Sequence, residues 1–290
     1  MKRLDDPHLS MSEATSANSA KVHVVKPAPA AAAASAEARA QPLRIEYSST
    51  QVMTDALVRL QRTHGVIKMD RSALAESFKM LRNQVLQRMR ADGHKLLAVT
   101  SPRRIEGKSL TAVNLAMTIA ADYDSAVLLV DADLAHHGLQ AMFGLEGARG
   151  LSDYLTDDVP IRELLVNPGL ARFVLLPAGR RAVLNSAELL ATIRAQQLIL
   201  EMKQRYQDRY IVVDLPPLLD TADALAFLPM ADTTLVVIEE HSTSLQDMDA
   251  MNDMLAPFNL IGSVISQPRE KEPAAGAKAR PWYRRWFGRR

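Results

Sequence analysis

The sequence predicts an α/β fold, a parallel β-sheet sandwiched by helices, on three observations. Short unbroken apolar runs recur from Leu96 onward with helical stretches between them, the pattern of strands buried on both faces. Polar clusters follow three of these runs: Gly107-Lys108-Ser109, Asp131-Ala132-Asp133 and Asp214-Leu215-Pro216-Pro217. Ligands of such sheets bind beyond the carboxyl ends of the strands, so the three clusters belong to one edge.

Residues 1–42 are rich in Ala, Ser and Pro and contain too little apolar surface to order themselves, so they read as a disordered lead. Residues 43–95 read as a helical extension. Val52, Ala56, Leu57 and Leu60 share one face, His64-Gly65 breaks the pattern, and Leu74, Phe78, Leu81, Val85 and Leu86 mark a second amphipathic helix. That helix carries Glu76, Lys79 and Arg82 at three-residue intervals, either a solvated stripe with an ion pair or a subunit contact.

The domain proper spans 96–268, with strands expected at 96–100, 126–130, 173–176, 211–213, 233–238 and 260–265 and a helix over 187–206. Its first unit is a strand, a tight loop and a helix that opens at Gly107-Lys108-Ser109, the order of a phosphate-binding loop. Backbone N–H groups and the positive end of the helix dipole face an anion there. Lys108 reaches the outer phosphates, and the Ser109 hydroxyl suits a magnesium ion. Glu106, Gly107, Lys108, Ser109, Leu110 and Thr111 are the candidate nucleotide-binding residues, and ATP with Mg2+ is the expected cofactor pair.

Magnesium keeps several waters, so one hydroxyl with one or two carboxylates suffices from the protein. Ser109, Asp131, Asp133 and Asp214 supply them. Phosphoryl transfer also needs a carboxylate to accept the proton of the attacking hydroxyl, and Asp131 or Asp133 is the candidate. His136 and His137 read as exposed loop histidines rather than metal ligands.

The totals narrow the class. The chain of 290 residues is 48 % apolar, enough for a substantial core, and has no cysteine for a disulfide or a thiolate metal site. A formal charge of +2 argues against a nucleic-acid partner. Neither a signal core nor an apolar run long enough to cross a bilayer is found, so a cytoplasmic protein is expected. Residues 269–290 form a basic aromatic tail in which Trp282, Trp286 and Phe287 stand among arginines, suited to an anionic membrane surface.

The segments 100–116, 128–133, 175–179, 188–190 and 211–217 resemble those of the bacterial tyrosine autokinases of capsule and exopolysaccharide export, relatives of the partitioning ATPases with a deviant phosphate loop. The resemblance implies a P-loop kinase that assembles into a ring and phosphorylates C-terminal tyrosines of its neighbours. Tyr283 is the implied acceptor, and Glu76, Lys79 and Arg82 are the implied ring contact. It also implies an activating cytoplasmic segment from a separate membrane chain-length or export protein, and a location at the inner face of the plasma membrane. Arg103 occupies the place of the partitioning ATPases' signature lysine, which implies reach toward a neighbouring site. The chain departs from the family pattern at Pro102, Ile105, Ala135 and Ser266, and its tail holds one tyrosine. Two alternatives stay open: a nucleotide-binding regulator of the same export complex with weakened catalysis, and a membrane-cycling ATPase of the partitioning type.

Overall fold

A computed structural model describes residues 51–266 except 54, 55, 64, 65, 67–71, 105, 106, 158, 206–208 and 241. The predicted lead and tail therefore lie outside the described residues, as do Glu106, Ile105 and Tyr283. In chain order the elements are β1 (Gln51–Val52), α1 (Ala56–Thr63), α2 (Ala73–Ala91), β2 (Leu96–Thr100), α3 (Lys108–Ala120), β3 (Ala126–Asp131), α4 (Gly138–Met142) and α5 (Leu151–Thr156). They continue as α6 (Ile161–Leu164), β4 (Val166–Asn167), β5 (Phe173–Leu176), α7 (Ser186–Leu190), α8 (Ile193–Arg205), β6 (Arg209–Asp214), α9 (Asp223–Phe227), a 3-10 turn (Leu228–Met230), β7 (Thr233–Glu239), α10 (Leu245–Leu255) and β8 (Leu260–Ser266).

All eight strands join one sheet in the order β1-β4-β5-β3-β6-β2-β7-β8. The predicted sandwich of sheet and helices is what the chain forms, and the six long strands are parallel. The two-residue strands β1 and β4 pair in parallel with each other, and β4 runs antiparallel to β5. Neither was expected, because two residues carry no readable periodicity.

Alternation along each strand feeds two cores. Leu97, Val99, Val127, Leu129, Val212 and Leu235 face α1, α2 and α3, whereas Leu96, Ala98, Leu128, Val130, Val213 and Val236 face α7 through α10. Helix α3 is buried along nearly its whole length, since α2 covers its outer side with Phe78, Leu81, Val85 and Met89. Ser72 starts α2 by accepting the Ala75 N–H at 3.2 Å. The single helix expected over 187–206 is two: Thr192 donates to the Leu189 carbonyl at 2.8 Å and accepts the Ala195 N–H at 3.2 Å, ending α7 and capping α8.

Strand order is what positions the site. Strand β6 lies between β2 and β3, so Asp214 stands between the phosphate loop and Asp131, which is its register partner.

Candidate nucleotide site

The loop after β2 is anchored at its start. Thr100 Oγ1 donates to the Pro216 carbonyl at 2.8 Å, and the carbonyls of Val99, Ser101 and Pro102 accept N–H groups of Leu215, Leu218 and Leu219. These bonds zip the loop to the segment that follows Asp214. Pro102, where a glycine is usual, fits this path because it contributes only its carbonyl. At the loop's end Gly107 has φ +131°, which residues with a Cβ rarely adopt, and a Cβ there would lie 2.7 Å from Ser266 Oγ. Ser266, at the tip of β8, thus seats against the phosphate loop.

Helix α3 opens at Lys108, with the Gly107 carbonyl accepting the Thr111 N–H at 2.7 Å. The N–H groups that precede it, those of Lys108, Ser109 and Leu110, have no helical carbonyl to bind and are available to an anion. Lys108, Ser109, Leu110 and Thr111 all lie on this first turn. The Lys108 ammonium, 7 % exposed, contacts Asp214 Oδ1 at 2.5 Å and lies 3.5 Å from Ser109 Oγ. Asp214 Oδ2 is buried and has no hydrogen-bond partner.

Asp131 is wholly buried and accepts the Asp133 N–H at Oδ1 (3.2 Å) and the Gln140 N–H at Oδ2 (2.9 Å). Burial, with the negative charge of Asp214 and a smaller push from Asp133, raises its carboxyl to about 8, although the Gln140 N–H and Lys108 act the other way. Burial also raises Asp214, against the pull of Lys108. Asp133 is the more open, and its Oδ1 lies 3.0 Å from His136 Nδ1.

These raised carboxyls make stability fall with rising pH. A folded-state value above the ordinary 3.8 means that the folded chain holds a proton the unfolded chain has released, so stability present at low pH is lost as pH climbs toward 8. Asp153 and Asp232 act oppositely. Burial works upward on both, but Arg180 and two backbone N–H groups hold Asp153 down, and Lys203 with two backbone N–H groups holds Asp232 down. Their contribution is lost as pH falls through their folded values. We expect the unfolding midpoint of the nucleotide-free protein to peak at about pH 4, where the unfolded carboxyls titrate, and to decline from there toward about pH 8. A midpoint that climbs steadily through neutrality would show Asp131 to be ionised.

Lys108, Ser109, Asp131, Asp133 and Asp214 thus come together, with Gly107, Leu110 and Thr111 supporting them. Glu76, Lys79 and Arg82 do not join them. They stand on α2, where Lys79 pairs with Glu76 at 2.7 Å and Arg82 donates to the Thr118 carbonyl at 3.1 Å. Arg103 is bound within its own chain, to Asp220 at 3.0 Å and Asp247 at 2.9 Å.

Two participants escaped the sequence reading. Gln140 donates its backbone N–H to Asp131, and its side chain bridges the Leu145 carbonyl and both backbone groups of Gly179. His136 is the exposed turn residue expected, and it is also a partner of Asp133 and of the Arg104 guanidinium, 2.8 Å from Nδ1. Its spacing three residues after Asp133 was the available signal.

A family described as "AAA domain" (AAA_31) matches residues 95–261. The chain belongs to that family. It is 32 % identical over 202 residues to the "Succinoglycan biosynthesis transport protein ExoP" of Rhizobium meliloti (strain 1021), an alignment covering 69 % of this chain and 25 % of that protein. It is 24 % identical over 200 residues to the "Putative tyrosine-protein kinase CapB" of Staphylococcus aureus, covering 68 % of this chain and 86 % of the relative. The kinase domain of the Escherichia coli tyrosine kinase ETK superposes with a TM-score of 0.63 at 23 % identity, covering 78 % and 92 % of the two chains. The resemblance drawn from the motifs is thus borne out in the names of the relatives and in the fold, which is one that binds nucleotide. Against the first of these relatives the AAA-domain chain spans about a quarter of the length.

The residues present fit a divalent cation. Asp214 Oδ2 is a buried oxygen with nothing to accept, beside Ser109 and facing Asp131 across the strand pair. Among the described residues no three acidic or histidine side chains form a metal cage. Magnesium takes much of its shell from phosphate and water, so a hydroxyl with one or two carboxylates suffices from the protein.

Proposed function

We propose that this AAA-domain chain is an ATP-dependent protein-tyrosine autokinase that regulates exopolysaccharide or capsule polymerisation, chain length or export. The observation that carries the reading is the Lys108–Asp214 pair at the N-terminus of α3, with Asp131 in register beside it and Asp133 more open at the rim. Lys108 leaves Asp214 for the outer phosphates of ATP and steadies the charge that develops there. Ser109, Asp131, Asp133 and Asp214 are the residues that would hold Mg2+, which supplies neutralisation of phosphate charge. Asp133, oriented by His136, accepts the phenolic proton of the attacking tyrosine.

Tyr283 is the tail acceptor in this reading, supplied by a neighbouring subunit of a homo-oligomeric ring. Glu76, Lys79 and Arg82 form a partly exposed stripe on α2 that suits a subunit contact. The name "Succinoglycan biosynthesis transport protein" of one relative supports a place in polysaccharide export; a membrane chain-length or export protein is the activator in this reading. No helix among the described residues is long and apolar enough to cross a membrane. Cytoplasmic placement at the inner membrane face rests on the basic aromatic tail.

Intact mass measurement with ATP and magnesium tests the activity. We expect a phosphate-sized gain that requires Lys108 and is largely lost in Tyr283→Phe. Nucleotide binding with no gain in any form would replace the kinase by a nucleotide-sensing regulator.

A further inference from the structure

Tyrosines differ sharply in what they offer a kinase. Tyr210 is buried at 7 % exposure, and its hydroxyl accepts from Arg90 Nε at 3.0 Å. Tyr154 is half-buried with the Arg194 guanidinium 4.8 Å from its ring centre. Tyr123 is 75 % exposed, in the turn between α3 and β3, with an aspartate on either side. Its backbone is held while its hydroxyl is not. Arg172 donates to the Tyr123 carbonyl at 2.9 Å and to the Ala120 carbonyl at 3.3 Å, and its guanidinium lies 5.8 Å from the ring centre.

The turn's place in the fold decides which active site it can reach. Helix α3 begins at Lys108 and runs 13 residues away from the phosphate loop, about 20 Å at the rise of an α-helix. Strand β3 then returns six residues to Asp131, about 20 Å again. Tyr123 stands at the far end of both elements, and both are buried in the core. It cannot approach its own Lys108 without unfolding them.

We infer that Tyr123 is a second phosphoacceptor, served by the active site of another copy of this chain. The inference rests on the autokinase reading. Tyr123 Oη attacks the γ-phosphorus of ATP held by the other copy, the new Oη–P bond forms as the bond to the departing ADP breaks, and the phenolic proton passes to that copy's Asp133. The product adds about −1.5 to −2 charges between Asp122 and Asp124. Arg172 is placed to balance them. Asp122 also lines a groove with Arg82, Asn83, Leu86, Gln87 and Arg90, so the new charge arises beside the α2 face proposed as a subunit contact.

The test mixes two full-length forms with ATP and magnesium. The acceptor carries Lys108→Met with Asp214→Asn, which removes both buried charges together and disables transfer, and also Tyr283→Phe. The donor is active and carries Tyr123→Phe, an exposed change that keeps the ring. Peptide mapping follows segment 105–149 of the acceptor, whose only tyrosine is Tyr123. Phosphate on that segment, at a rate that falls with dilution, is the expected result. Phosphotyrosine elsewhere in the mixture with none on this segment would overturn the inference and leave the kinase standing. Wild-type protein with no phosphotyrosine anywhere would overturn both. Modification of wild-type Tyr123 at a rate independent of concentration would overturn transfer between copies.

Discussion

Lys108→Met is expected to abolish the proposed phosphate transfer and to lower the stability of the fold by about 3 to 5 kcal/mol, the usual cost of breaking a buried ion pair from one side. The lysine side chain is 7 % exposed and that of Asp214 1 %, so solvent cannot take over the neutralisation. Asp214 Oδ2 already lacks a partner, and without Lys108 the other oxygen loses its ammonium partner. Protonation is the carboxyl's escape. The variant's deficit should therefore grow as pH rises, because the proton that relieves the buried charge is harder to retain. Adding Asp214→Asn removes the second charge, and we expect the double variant to recover most of the lost stability and none of the transfer. Urea unfolding and phosphotyrosine detection, run on the parent, both single variants and the double, separate the two effects. A single Lys108→Met variant as stable as the parent at pH 8 would mean that the pair contributes nothing to the nucleotide-free fold.

The same pair explains why the heart of the site was legible and its surroundings were not. Asp131 and Asp214 end their apolar strands, and Lys108 and Ser109 follow theirs across a single loop, so the carboxyl-edge rule brought them together from the sequence. The edge rule gives no strand order. That β6 enters between β2 and β3, and so puts Asp214 rather than Asp131 on Lys108, is a property of the sheet as a whole. Gln140 was invisible for a related reason. It works through its backbone N–H and through carbonyls of residues up to 39 positions away, and backbone groups leave no mark on residue type. The partners of Arg103, Asp220 and Asp247, come from two separate segments that only the fold juxtaposes, so this bonding leaves no mark in the sequence. The strands β1 and β4 were missed because the sheet extends them, not their own sequence.

Gly150→Ala should be the most damaging small substitution away from the site, with a loss of about 3 kcal/mol or more. Its φ of −162° is ordinary extended backbone, so the penalty is not conformational. It is one of space. A Cβ at Gly150 would lie 2.0 Å from the Pro177 carbonyl oxygen and 2.7 Å from the Gly179 nitrogen, both of them backbone and unable to rotate aside. The two segments are laced together there: Leu151 N–H donates to Pro177 and Ser152 N–H to Ala178, each at 2.8 Å, while Asp153 accepts from Gly150 at 2.9 Å and Arg180 at 3.1 Å. Making room means moving 177–180 outward. Gly179 is bonded to the Gln140 side chain, and Gln140 holds Asp131, so the displacement reaches the carboxylates and weakens nucleotide binding along with the fold. Gly93→Ala is the control. Its φ of +69° imposes strain of about 1 to 2 kcal/mol, yet nothing lies within 4 Å of its added Cβ and nothing connects it to the site. Unfolding midpoints with nucleotide titrations on both variants decide the matter: Gly150→Ala loses stability and affinity together, Gly93→Ala loses a little stability alone. Equal losses, or unchanged affinity in Gly150→Ala, would mean that the 177–180 turn yields without transmitting its shift to Asp131.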